Sequence, residues 1–190
     1  MIIGLAGYAR VGKNTLASMI VNEPDAGMKM LQGAFADRLK DEVGDMLAAV
    51  KVPKSVLVND KENFRDLMVF WGKTRRRQNP NYWVDIVMKQ YRKIKEGMKG
   101  KDFLFIITDV RYLNEVEAIL KEGGKIYIVQ RELTGPANDE EARSMKEIYE
   151  YASVNPNRIV TLPPADALDI LQEYAIEIFD EVYQTLKMKG

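Results

Sequence analysis

The chain has 190 residues, 46% of them hydrophobic, with 28 Lys and Arg balanced by 28 Asp and Glu. That length fits one domain with a packed core, and zero net charge argues against a general nucleic-acid binder or a membrane-surface protein. With no Cys and no His, the sequence excludes disulfides, thiolate or imidazole metal sites, cysteine nucleophiles and histidine acid–base catalysis.

In chain order, residues 2–6 read as a short buried strand running into a turn at 7–12. A helix opens near Lys13, residues 22–27 form a loop, and 28–35 hold a second strand. Leu39, Val43, Met46, Leu47 and Val50 recur with helical period, and Pro53 ends that helix. Another helix covers 61–71, with Gly72 as its stop. Asn79-Pro80 is a start signal, Asn as N-cap and Pro at the first helical position. Trp83, Ile86, Val87, Tyr91 and Ile94 then share one face. Residues 103–107 are an apolar run of buried-strand length. Residues 114–122 are helical up to Gly123-Gly124, 125–130 form a strand, 139–151 a helix and 158–162 a last strand. Asp166 is expected to cap the final helix.

Strands alternating with helices predict a three-layer α/β fold with a mostly parallel five-stranded sheet, and the string Gly7, Gly12, Lys13 and Thr15 between the first strand and the first helix makes it one of P-loop NTPase type. We expect one domain over 1–190, with 36–101 as a helical excursion that covers the substrate. Arg10 and Lys13 follow the apolar opening at once, so no signal-peptide core is expected. No apolar run reaches spanning length, and the expectation is a cytoplasmic protein without a membrane or nucleic-acid partner.

The strongest motif is Gly7-Tyr8-Ala9-Arg10-Val11-Gly12-Lys13-Asn14-Thr15, between a predicted strand and a predicted helix. Glycines let backbone N–H groups converge on phosphate oxygens, the helix N-terminus adds positive potential, and Lys13 neutralises phosphate charge. The bland alternative is a Gly-rich turn that binds nothing. Asn14 stands where Ser or Thr is commoner, and the hydroxyl arrives one residue later at Thr15. Thr15 contacts Mg²⁺ directly, contacts it through water, or binds an α-phosphate oxygen. The strand at 103–107 runs on to Asp109, which in such a sheet can order Mg²⁺ or its water; otherwise it is a loop acid. Arg111 can reach a phosphate or pair with Glu115 one turn on. Arg65, Lys73, Arg75, Arg76 and Arg77 precede Tyr82-Trp83. They read either as a receiver for an anionic, stackable substrate or as a solvated basic loop with Trp71 and Trp83 as core anchors. Arg131 closes the strand at 125–130 on the same edge as Asp109.

These stretches resemble the deoxynucleoside monophosphate kinases of tailed bacteriophages. The likeness lies in GYARVGKNT, in RDLMVFWGKT from Arg65, in YWV at 82–84 and in TDVRYLNEVEAILKEGGKIYIVQR at 108–131. The resemblance implies phosphorylation of a deoxynucleoside monophosphate by ATP with Mg²⁺, in the host cytoplasm if phage-encoded. Gly7, Arg10, Gly12, Lys13, Asn14 and Thr15 would bind ATP, and Thr15 and Asp109 the metal. Lys13, Arg65, Arg111 and Arg131 would be catalytic, Arg131 as part of a mobile cover. Lys40, Arg65, Arg75, Trp83, Asp109 and Arg111 would bind the acceptor. It also implies a homodimer, although no apolar stripe is left over for one. The chain departs from the family at Asn138-Asp139-Glu140-Glu141, where a His is usual, and between 35–40 and Arg65, which is short. The alternatives are a P-loop kinase of another small phosphate-bearing metabolite, or a nucleotide-binding ATPase or switch module.

Overall fold

The structure, a computed structural model, describes residues 1–23, 27–60 and 62–188. The middle of the expected loop at 22–27 and the expected helix start at Lys61 lie outside the described residues. The chain divides into two compact units, Met1–Gly33 with Lys93–Gly190, and Ala34–Arg92.

The first unit is a five-stranded sheet flanked by helices. Its strands are β1 (Ile2–Ala6), β2 (Lys29–Gly33), β3 (Phe103–Val110), β4 (Lys125–Ile128) and β5 (Ile159–Thr161), in the order β2-β3-β1-β4-β5. Every pairing is parallel. β1 and the first five residues of β3 are buried throughout, as expected for strands covered on both faces. On one face, Ile3 and Leu5 join residues of α1 (Lys13–Asn22) and α8 (Leu168–Lys187), among them Leu16, Ile20, Leu171, Ala175 and Ile178. On the other, Gly4 lies so close to α6 (Leu113–Lys121) that a Cβ would stand 2.7 Å from Ile119 Cδ1. α7 (Asp139–Ser153) packs beside α6. Fully burying such aliphatic side chains stabilises the unit by about 1.5–3 kcal/mol each.

The second unit contains α2 (Phe35–Ala49), the short α3 (Val56–Asn59), α4 (Arg65–Gln78) and most of α5 (Tyr82–Gly97). Val43, Leu47 and Leu57 form its buried centre, with Leu39, Leu67, Met68 and Trp71 packed around them.

Three sequence expectations are corrected. Gly72 does not stop a helix; it is buried inside α4, where a Cβ would meet Leu39 Cδ2 at 3.3 Å. It therefore marks a close approach of α2 and α4, and the run Arg75–Arg77 is the last helical turn instead of a loop. Basic residues there suit the negative end of the helix dipole. The next helix starts at Tyr82, not at Pro80: Asn79 Oδ1 accepts the Asn81 N–H at 2.9 Å, a turn that postpones the helix. Asp166 does not cap α8, whose N-cap is Ala167; Asp166 Oδ1 instead accepts the Glu132 N–H at 3.0 Å.

Candidate functional site

β1 lies between β3 and β4; the helix that follows β1, α1, packs on one face of the sheet, and the helix that joins β3 to β4, α6, packs on the other. In an open parallel sheet this arrangement leaves a crevice at the carboxyl ends of the strands. Three segments meet at that edge: the turn 7–12 after β1, Asp109 to Arg111 at the end of β3, and Val129 to Arg131 after β4. The Val129 N–H donates to Ala6 O at 2.9 Å, which carries the β4 path alongside the start of the turn.

The turn has the conformation its glycines predict. Gly7 has φ 133°, and a Cβ there would stand 2.3 Å from Val129 O, so only glycine fits between strand and turn. Gly12 has φ 100° and is the N-cap of α1 without a side-chain cap. Arg10, with φ 67°, holds a left-handed conformation that costs a non-glycine residue on the order of 1–3 kcal/mol. Such strain clusters at ligand clamps. Among the described residues none accepts from the backbone N–H groups of residues 10–15; the first intrahelical bond is Leu16 N–H to Gly12 O, at 2.9 Å. A row of donors at a helix N-terminus is the chemistry that binds phosphate oxygens.

Lys13 Nζ folds back to donate to Gly7 O at 2.7 Å and Tyr8 O at 2.6 Å. Burial pushes its ammonium down to a pKa of about 8, and the charge of Arg111 pushes the same way, while Glu141 and Asp109 oppose them. The strand carrying Asp109 is bulged. Gly4 pairs with Ile107 and Ala6 with Val110, so β3 has one extra residue opposite this stretch of β1. Such a bulge re-aims side chains where pairing ends, here at Thr108 and half-buried Asp109. Glu115, 3% exposed, accepts the N–H groups of Arg111 at 2.6 Å and Tyr112 at 3.0 Å through Oε2. The expected alternative for Arg111, a salt bridge to Glu115, is thus replaced by a carboxylate that shapes the backbone beneath it. The Arg111 guanidinium stays exposed, as do those of Arg10 and Arg131, and none of the three has a side-chain hydrogen bond among the described residues. Asn14 and Thr15 are exposed in the first turn of α1.

The sequence reading missed what fastens this edge. The Ser144 hydroxyl donates to Arg111 O at 2.6 Å, the Tyr112 hydroxyl to Glu140 Oε1 at 2.8 Å, and Glu141 Oε1 accepts the Ala9 N–H at 3.0 Å. The available signal was the acidic first turn of α7 behind Asn138, whose Oδ1 caps the Glu141 N–H at 2.9 Å.

Of the residues expected to bind the acceptor, Asp109 and Arg111 lie in the first unit, and Lys40, Arg65, Arg75 and Trp83 lie in the second. Arg65 pairs with Glu62 at 3.4 Å and Lys40 with Asp37 at 3.0 Å, all of these side chains exposed. Arg75 Nε donates to Glu42 Oε2 at 3.0 Å, and its guanidinium lies 4.7 Å from the ring centroids of both Trp71 and Tyr82. Glu42 also accepts from Trp71 Nε1 at 2.8 Å and from the Tyr82 hydroxyl. Burial pushes the Glu42 carboxyl up, but the bonds from Tyr82, Trp71 and Arg75 outweigh it and hold it below the usual range. Of the two readings of Trp83, substrate-facing ring or core anchor, the geometry has the features of the second. Trp83 is 3% exposed and directs Nε1 at Gly72 O, 3.4 Å away, because its large apolar surface is better buried.

No protein-family model and no curated protein sequence matches the chain. Among solved structures it is similar to shikimate kinase from Acinetobacter baumannii in complex with shikimate, with a TM-score of 0.47 and 11% identity over 97% of this chain and 93% of that one. It is also similar to shikimate kinase from Bacteroides thetaiotaomicron, with a TM-score of 0.40 and 14% identity over 97% and 98% of the two chains. At these values the similarity concerns the path of the chain alone.

Proposed function

We propose that the protein is an ATP-dependent kinase of a small metabolite, and that its acceptor is a deoxynucleoside monophosphate. The observation that supports it best is the phosphate loop at the carboxyl end of β1, with N–H donors from residues 10–15, Lys13 folded beside Gly7, and Asp109 and Arg111 on the adjoining strand end. These groups fit a nucleoside triphosphate. They also fit Mg²⁺, which binds through one or two protein oxygens plus phosphates and does not need an all-protein cage. Thr15 and Asp109 would hold the ion, which supplies charge neutralisation at the transferring phosphoryl group.

The chain's own work is positioning and electrostatics. Loop amides and Lys13 fix the donor phosphates, and Arg111 and Arg131 supply positive charge where it builds up in transfer. A monophosphate acceptor is already an oxyanion near neutral pH, so a chain without His needs no general base. The choice of a deoxynucleotide acceptor rests on the sequence resemblance, as do the roles of Arg65, Lys40 and Arg75 as acceptor ligands. A kinase of another small metabolite is the second reading, because the solved structures of similar chain path are kinases of a different acceptor.

The test is ADP release with Mg·ATP against deoxy- and ribonucleoside monophosphates, with shikimate in the same panel. Turnover that depends on the acceptor and prefers the 2′-deoxy series is expected. Turnover with a non-nucleotide alone moves the chain to the second reading, and hydrolysis without any acceptor overturns both.

A further inference from the structure

The phosphate loop carries an anion of its own. Glu141 Oε1 accepts the Ala9 N–H at 3.0 Å, while Oε2 accepts the Ala137 N–H at 2.6 Å. Asn138 Oδ1 fixes the Glu141 N–H, and the same helix is tied to the β3 end through Ser144 and Glu140. The carboxylate is therefore placed by the fold, with one oxygen on the loop and the other on the segment that follows Arg131. Its charge also reaches Lys13. One carboxylate thus serves an amide of the loop and the neighbourhood of the loop's ammonium, where incoming phosphate oxygens would bring like charge.

We infer that Glu141 is an internal anion of the phosphate loop: it competes with ligand phosphates for the Ala9 amide and the Lys13 charge, and phosphate binding releases the Ala137 amide it holds. Two consequences follow. Affinity for phosphates is set below what the loop amides and Lys13 alone would give. The segment 131–137, which bears Arg131, is coupled to loop occupancy through a single side chain. The inference rests on the loop's being a phosphate site; it is a regulatory reading of that site and needs no particular acceptor.

The experiment titrates the full chain, Glu141→Gln and Glu141→Ala with two probes, inorganic pyrophosphate and the non-hydrolysable Mg·AMP-PNP. Both variants are expected to bind both probes about twofold to fivefold more tightly, the scale of one part-exposed charge pair. In the unmodified protein, hydrogen exchange at the Ala137 amide is expected to speed up when either probe is added, a readout that does not depend on the variants folding. Unchanged or weaker binding in folded variants, or an Ala137 amide that stays as protected as before, overturns the internal anion. Pyrophosphate binding that tightens in the variants while AMP-PNP binds none of the proteins keeps the internal anion and removes the ATP kinase. Failure of both probes in all three proteins overturns both readings.

Discussion

The two units deploy arginine in opposite ways. At the edge of the sheet, Arg10, Arg111 and Arg131 project from turns and strand ends, exposed and without side-chain hydrogen bonds among the described residues. Their positions are fixed by backbone: a left-handed residue at Arg10, a carboxylate that accepts the Arg111 N–H, and, ahead of Arg131, the segment after β4 whose Val129 N–H donates to Ala6 O. In the helical unit, Arg75 is fixed by side chains, between two aromatic rings and against Glu42. There the head group itself is held by neighbouring side chains; at the sheet edge the backbone sets the position and the guanidinium stays exposed, a difference that composition alone cannot show.

Lys13→Ala breaks the comparison most strongly. Phosphoryl transfer is expected to fall about 10²- to 10³-fold or more, the cost of removing a principal charge-stabilising donor, while the melting temperature changes little. Lys13 is charged against burial, so its removal takes away an unfavourable charge together with two hydrogen bonds. Near-normal turnover in acceptor assays would end the kinase reading.

Glu42→Ala should act in the reverse sense. It strips partners from Trp71, Arg75 and Tyr82 at once, and is expected to destabilise the protein by about 2–3 kcal/mol. Affinity for pyrophosphate at the loop should stay within about twofold, the scatter allowed for distant sites. Chemical denaturation and titration on the same sample separate the two, and a large loss of pyrophosphate affinity would show that the contrast between the units is false.

The pH dependence sharpens the reading of Lys13. Its folded pKa, about 8, lies below the ordinary lysine value of 10.5. Below pH 8 it is charged in folded and unfolded protein alike and the full burial penalty applies. As pH rises from about 8 to 10.5 the folded protein sheds that proton first, so unfolding stability relative to Lys13→Ala should rise across this window. Phosphate affinity should fall over the same window, because the ammonium is what is lost. A flat binding profile between pH 7 and 9.5 would mean that Lys13 keeps its charge.

What could be read from the sequence follows the range of the interactions involved. The parallel sheet and the turn at 7–12 were legible because runs such as 103–107 and the spacing of Gly7, Gly12 and Lys13 encode them locally. Glu141 was not, since its partner Ala9 lies 132 residues away and nothing in Asn138-Asp139-Glu140-Glu141 names that partner. Trp83 and Trp71 illustrate the same limit. Both sit in basic, aromatic surroundings, yet one is buried at Gly72 O and the other sandwiches Arg75, a distinction made only when α4 and α5 pack.

Gly72→Ala carries the smallest expected effect and tests that limit directly. Alanine in place of glycine in a helix interior gains about 1 kcal/mol from propensity. Against this stands a new Cβ 3.3 Å from Leu39 Cδ2, a contact that needs a shift of a few tenths of an ångström. Leu39 is only partly buried and Cδ2 is the far end of a flexible side chain, so the neighbour can give. The substitution is therefore expected to stabilise the protein by about 0.5 kcal/mol in denaturant titration. Destabilisation beyond about 1 kcal/mol would show that Leu39 is locked and that α2 and α4 depend on glycine for their separation. In that case Gly72 sets the packing of the helical unit as firmly as Gly7 sets the turn at 7–12.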